Sequence, residues 1–343
     1  MQDEAIKLLE QLIAIPSISR EEEKVATLLF DYMQDKDLCP QRVGNNIFCS
    51  TVISDSMPTI LLNAHIDTVK PCQGWTYNPY NPEIIDGKLY GLGSNDCGGG
   101  LVALLYTFIA LRDKEIPYNL VFAASCEEEV SGKNGFESLL PHLPKIDVAI
   151  VGEPTSMQPA ICEKGLMVVD VTTHGKAGHA ARTEGVNALY IALDDISWIR
   201  NYHFPKQSSL LGETRMNVTI LNCGTQHNCI PDTCTYTIDV RTTECYSNQE
   251  VLTFLQSKLQ GDVKARSTRL NSSFISDTHP LIQRCIEQGL QPFGSPTLSD
   301  QALMPFPSFK LGPGDSSRSH TANEYIEIKE IERAIALYKK ILE

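Results

Sequence analysis

The sequence predicts an α/β protein: a mostly parallel sheet with flanking helices, carrying an inserted ferredoxin-like α+β domain. Three observations predict it. Near-continuous apolar runs alternate with helical patterns over the first 163 residues, the same alternation returns at the C-terminal end, and the strands between are of a different kind.

Taken in order, residues 4–14 and 21–35 have helical periodicity. "TILLNAH" (59–65), "NLVFAAS" (119–125) and "DVAIVGE" (147–153) are near-continuous apolar runs, as strands buried on both faces require. "GGGLVALLYTFIALR" (98–112) reads as a helix entered through glycines. In the middle, "LMVVDVTTH" (166–174), "RMNVTILN" (215–222) and "CTYTIDVR" (234–241) mix polar and apolar positions, as a sheet with one wet face does. Helical patterns at 184–200 and 247–259 and a last strand near 263–268 complete a strand-helix-strand-strand-helix-strand order. A helix near 279–290, a strand at 307–312 and a helix at 328–343 return to the first kind. The expected division is 1–163 with 274–343 as a catalytic domain, and 164–273 as an inserted domain.

Composition narrows the function. A formal charge of −13 over 343 residues argues against a nucleic-acid partner, whose phosphates need a basic face. No apolar run approaches the roughly 20 residues of a membrane span, and the N-terminal stretch lacks the basic flank of a signal peptide. Eleven cysteines without a C-x-x-C pair point to a reducing, cytoplasmic setting.

In open α/β sheets, ligands bind beyond the carboxyl ends of the strands. The apolar runs end in His65-Ile66-Asp67, in Glu127-Glu128-Glu129 and in Glu153-Pro154. Asp96 stands at the mouth of the glycine-entered helix, and the strand at 307–312 leads after a short loop to His320. Two imidazoles and several carboxylates on one sheet edge are the donor set of a divalent transition metal, most often zinc. Each has a plainer alternative: a hydrogen-bonded structural histidine, an Asp96 that caps its helix, a Glu153 that is only a turn residue.

The ordered motifs "HIDTV", "GLGSND", "EEE…NG", "GEPT", "GKAGHAA", "NCIPD", "DVR" and "GPGD…H" resemble the co-catalytic zinc aminoacylase and exopeptidase family over essentially the whole chain. That family includes acetylornithine deacetylase, succinyl-diaminopimelate desuccinylase and carboxypeptidase G, and the likeness is to the first of these branches. The resemblance implies two Zn²⁺ ions, with Co²⁺ or Mn²⁺ as substitutes, bridged by Asp96. His65 and Glu153 would complete one position, Glu129 and His320 the other. Asp67 would accept a hydrogen bond from His65, and Glu128 would be the general base. A register shifted by one, with Glu127 as base and Glu128 as ligand, stays open.

His179, in "GKAGHAA", would stabilise the oxyanion, and Arg241, Asn228 and Arg318 would hold the substrate. The implied activity is removal of an acetyl or succinyl group from an amino acid such as ornithine or citrulline, as in arginine biosynthesis. A dipeptidase, a carboxypeptidase or a diaminopimelate desuccinylase is the alternative. A homodimer formed through the inserted domain is implied as well. Two departures stand beside Asp96: Leu92 where relatives carry Arg, and Cys97-Gly98-Gly99 in place of Met-Lys-Gly.

Overall fold

The computed structural model describes residues 2–343. The chain divides into two compact units. One comprises the chain up to Ile161 with Phe274–Phe293 and Ser299–Glu343; the other comprises Cys162–Ser273 with Gly294–Leu298.

The first unit is built on a mixed, mostly parallel sheet. Asn119–Ser125, Thr59–His65, Val148–Val151 and Ser308–Lys310 run parallel and in that spatial order. Asn46–Ser50 joins Asn119–Ser125 antiparallel on one side, and Ala160–Glu163 pairs antiparallel with Ser308–Lys310 on the other. Every residue of Thr59–His65 and of Asn119–Ser125 is buried, as their near-continuous apolar sequences predict. The short strands Asn46–Ser50 and Ala160–Glu163, and a three-stranded patch of Glu83–Ile85, Lys88–Tyr90 and Tyr325–Glu327, carry too little pattern to stand out in sequence.

The helix Gly99–Leu111 is apolar on all sides, and most of its residues are buried. Helical structure from Ser94 to Leu111 is, by length and composition, sufficient to cross a membrane, which the sequence reading did not anticipate; most of it is buried inside the protein. It packs on helices Gln2–Ile13 and Ile328–Leu342. Leu101, Leu104, Leu105, Tyr338 and Ile341 meet there, each of the apolar side chains contributing about 1.5–3 kcal/mol by burial. Gly100 permits the approach of this helix to the sheet edge, since a Cβ there would collide with the Gly152 carbonyl. That approach brings Asp96 beside Glu153.

The second unit is a four-stranded antiparallel sheet with two helices. Met167–His174 lies between Thr233–Arg241 and Asp262–Ala265, and Arg215–Cys223 forms the edge beyond Thr233–Arg241. This is the ferredoxin-like strand order. Met167–His174 alternates between buried and part-exposed positions, the pattern of a sheet with one wet face. The helix expected from 184 begins at Ala188: Val186 is bridged to Lys176, and the Asn187 side chain caps the helix. Ser247 and Glu250 form a capping box at the start of Asn248–Lys258.

Candidate metal centre

The carboxyl ends of the parallel strands assemble the first unit's polar cluster. His65 ends its strand with its ring buried, and Nδ1 lies 2.8 Å from the main-chain oxygen of Asp67. A nitrogen facing a carbonyl oxygen carries the hydrogen, so in the neutral ring Nε2 presents its lone pair. That nitrogen faces Asp96 Oδ1 at 3.3 Å, Glu153 Oε1 at 3.6 Å and Glu128 Oε2 at 4.0 Å. On the other side, His320 Nε2 lies 2.9 Å from Glu129 Oε2 and 3.5 Å from Asp96 Oδ2. The two oxygens of Asp96 thus address one imidazole each.

Backbone geometry produces this arrangement. Asp96 and Cys97 interrupt the helical path between Ser94 and Gly98 with non-helical φ and ψ, and the peptide joining them is cis. Asp96 therefore does not cap the following helix. Glu324 Oε1 accepts the N–H groups of Asn95 and Asp96 at 2.9 Å each, holding this segment. The Asn95 side chain ties it to Asp315 and Ser319, on the loop that presents His320. Glu127, in a left-handed conformation, directs its carboxylate to the Asn134 side chain at 2.9 Å. Glu128 and Glu129 are left to the cluster.

Asp67 stands beside the His65 ring and reaches beyond it. The imidazole bonds its main-chain oxygen, while the carboxylate stands 3.6 Å from Nδ1. The carboxylate instead accepts the N–H groups of Glu128 at 3.0 Å and Glu129 at 3.1 Å, and the Ser19 hydroxyl at 2.7 Å. Three donors pointing at one carboxylate outcompete a side contact, so Asp67 clamps the turn that carries the two glutamates.

Electrostatics show what the cluster lacks. Burial, reinforced by Glu153, holds the Glu128 carboxyl well above its ordinary range. Burial and the charge of Asp96 push Glu153 up to about 8. Burial opposes a charge on His65, but Cys97 and the carboxylates of Asp67 and Asp96 hold it well above the ordinary imidazole value. The Glu129 hydrogen bond, against burial, raises His320 to about 9. The cluster therefore retains protons where carboxylates crowd, and a divalent cation relieves the same crowding without them.

Two further observations favour a cation. Glu153 Oε1 is buried with no hydrogen-bond partner. Ligand atoms of His65, Asp96 and Glu129 lie within 4.8 Å of one another, as do those of His65, Cys97 and Glu153. The residues fit divalent metal ions.

The remaining candidates lie elsewhere. His179 and Asn228 are brought together in the second unit, where Gly178–His179 pairs with Cys229–Ile230 and the Ala180 N–H donates to the Asn228 carbonyl. His179 is exposed, and its Nδ1 accepts the Ala181 N–H at 3.1 Å. Arg241 forms a bidentate pair with Asp239 at 2.8 and 3.1 Å. Arg318 does likewise with Glu330 at 2.7 and 3.3 Å, its guanidinium lying over the Tyr325 ring. Both arginines thus stand in side-chain ion pairs, Arg241 in the second unit and Arg318 against the last helix.

Sequence reasoning passed over Glu324 and over Asp300, which accepts hydrogen bonds from Ser125 at 2.6 Å and Asn63 at 3.1 Å beneath the sheet edge. Asn63 and Ser125 lie inside the apolar strand runs; these two polar interruptions were the available signal.

Comparison with known proteins agrees with this geometry. The profile described as peptidase family M20/M25/M40 matches residues 61–343. Acetylornithine deacetylase of Proteus mirabilis (strain HI4320) is 26% identical, the alignment covering 98% of this chain and 96% of the relative. Succinyl-diaminopimelate desuccinylase of Wolbachia pipientis wMel is 24% identical, with 100% and 94% covered. Among solved structures, aminopeptidase PepT from Bacillus cereus ATCC 10987 superposes with a TM-score of 0.78 at 20% identity, covering 100% of this chain and 98% of that one. A dinuclear metal-binding peptidase of the M20 family from Bacillus subtilis gives 0.75 at 15% identity, with 99% and 97% covered. The chain belongs to peptidase family M20/M25/M40 and is a hydrolase of amide bonds.

Proposed function

We propose that this chain removes an acetyl or succinyl group from the amino group of an amino acid such as N-acetylornithine or N-acylcitrulline, using two zinc ions, for which cobalt or manganese can substitute. The observation that carries this is the Asp96 carboxylate, whose two oxygens face His65 and His320 separately. His65 and Glu153 would hold one ion with Asp96; Glu129 and His320 would hold the other. When bound, such ions acidify a water molecule and polarise the amide carbonyl.

Glu128 lies farther from the His65 Nε2 than Asp96 and Glu153 do, which suits a base beside the ions rather than a ligand. It takes the water's proton and delivers it to the leaving amine nitrogen. Engagement of Glu127 by Asn134 supports this register over the shifted one. In His179 the accepting Nδ1 leaves the hydrogen on Nε2, so the exposed ring offers a donor to the tetrahedral oxyanion. Asn228 beside it, and Arg241 within its ion pair, are the proposed substrate contacts in the second unit.

The edge strand Arg215–Cys223 exposes Ile220 and Leu221, and the helix Ala188–Asn201 exposes Tyr190 and Leu193; a second copy of this unit is the proposed occupant, in a homodimer. Eleven free cysteines support a cytoplasmic setting.

The test is hydrolysis by purified, zinc-supplemented protein of a panel of N-acetyl- and N-succinyl-amino acids beside dipeptides. The expected result is turnover of an N-acyl amino acid, abolished by chelation and restored by zinc. Turnover of dipeptides alone, or turnover indifferent to chelation, would overturn it.

A further inference from the structure

We propose that Cys97 is a further metal ligand, its Sγ joining His65 and Glu153 around one of the two cation positions and making that position softer than the other. The inference rests on the two-cation reading above.

Three facts carry it. Cys97 Sγ, a ring nitrogen of His65 and a carboxylate oxygen of Glu153 lie within 4.8 Å of one another. Donor atoms around a tetrahedral zinc ion stand roughly 3.5 Å apart, given metal–ligand lengths of about 2.0–2.3 Å. Small side-chain rotations span the difference. Glu153 Oε1 is buried and unpartnered, a donor atom with no hydrogen to accept. The thiol's hydrogen bond to the His65 carbonyl, at 3.8 Å, is weak enough to exchange.

The plainer account is a small core side chain, for Cys97 is buried and packs within the apolar core. Core packing alone does not explain why the sulfur converges with the imidazole and the carboxylate of one cation position. On metal entry the S–H bond is exchanged for a sulfur–metal bond, and the proton leaves to solvent. The two positions then differ in chemistry. Imidazole, carboxylate and thiolate favour zinc or another thiophilic ion, whereas His320 with Glu129 and Asp96 is a nitrogen and oxygen set that accepts harder ions such as manganese.

The test uses full-length protein loaded with cobalt, read by absorption and metal content together. Wild type is expected to bind two equivalents and to show an intense thiolate-to-cobalt charge-transfer band in the near ultraviolet. In Cys97→Ser and Cys97→Ala the band should vanish while the second cobalt equivalent stays, and affinity at one position should fall about tenfold or more. X-ray absorption on zinc-loaded wild type, which needs no variant, should show sulfur scattering at about 2.3 Å. Two bound cobalt ions without the band or the sulfur shell would overturn the Cys97 assignment and leave the two-cation reading standing. A band that persists in both variants overturns it too. Failure of wild type to bind cobalt or zinc at all would overturn both.

Discussion

Glu128→Gln separates catalysis from metal binding. The amide matches the carboxylate in size, so the buried site keeps its packing, but it cannot take up a proton at neutral pH. Glu128 Oε2 is 4.0 Å from His65 Nε2, against 3.3 and 3.6 Å for Asp96 and Glu153, so the ligand set is untouched. A positioned general base contributes about 10²–10⁴-fold, which is about 2.7–5.4 kcal/mol of barrier. The expected outcome is a kcat lower by that factor, with KM changed little and metal content unchanged. One carboxylate fewer beside Glu153 also eases the crowding that burial imposes, so the metal-stripped variant should melt above metal-stripped wild type. The assay is steady-state hydrolysis of an N-acyl amino acid, with metal content and melting measured on the same samples. Near-normal turnover with both metals bound would refute the assignment of the base.

Other outcomes follow from the same geometry. In metal-free protein, Glu153 and Glu324 titrate near 8 against an ordinary 4.5, and His320 near 9 against 6.5. The folded chain then holds protons that the unfolded chain has released, so stability should fall as pH rises from about 4.5 to about 9. Zinc should flatten that slope in melting scans; a metal-free protein that gains stability over the window would contradict the reading. Asp67→Ala removes the acceptor for two N–H groups and a hydroxyl, and should weaken metal affinity about 10–100-fold as the turn of Glu128 and Glu129 loosens; unchanged affinity by competition with a chelator would remove the clamp. Arg318→Ala should cost about 1 kcal/mol of stability, its pair with Glu330 being only part-buried, and should leave KM for the N-acyl substrate unchanged. A large KM effect would place Arg318 at the substrate. Gly100→Ala should destabilise by about 1–3 kcal/mol or more through its collision with Gly152, seen as a lower denaturation midpoint.

Much of the centre is legible in sequence because a parallel sheet puts chemistry at one predictable place. His65, Glu128, Glu129 and Glu153 each follow an apolar run, and runs buried on both faces are hard to mistake. The supports are less legible because they act through space. Glu324 holds Asp96 from more than two hundred residues away, and no local pattern marks it off from a surface acid. Spacing places the Asp67 side chain near His65, but no pattern shows that its main-chain oxygen accepts from the ring as well. Arg318 stands two residues before His320, yet its direction is set by Glu330 on the last helix. Short strands such as Asn46–Ser50 were missed for want of length, since five residues carry too little periodicity.

Anomalous diffraction from zinc-loaded crystals, collected at the zinc edge, tests the central claim most directly. Two peaks should flank the Asp96 carboxylate, one against His65 and Glu153, the other against Glu129 and His320. A single peak, or none between those imidazoles, would contradict it.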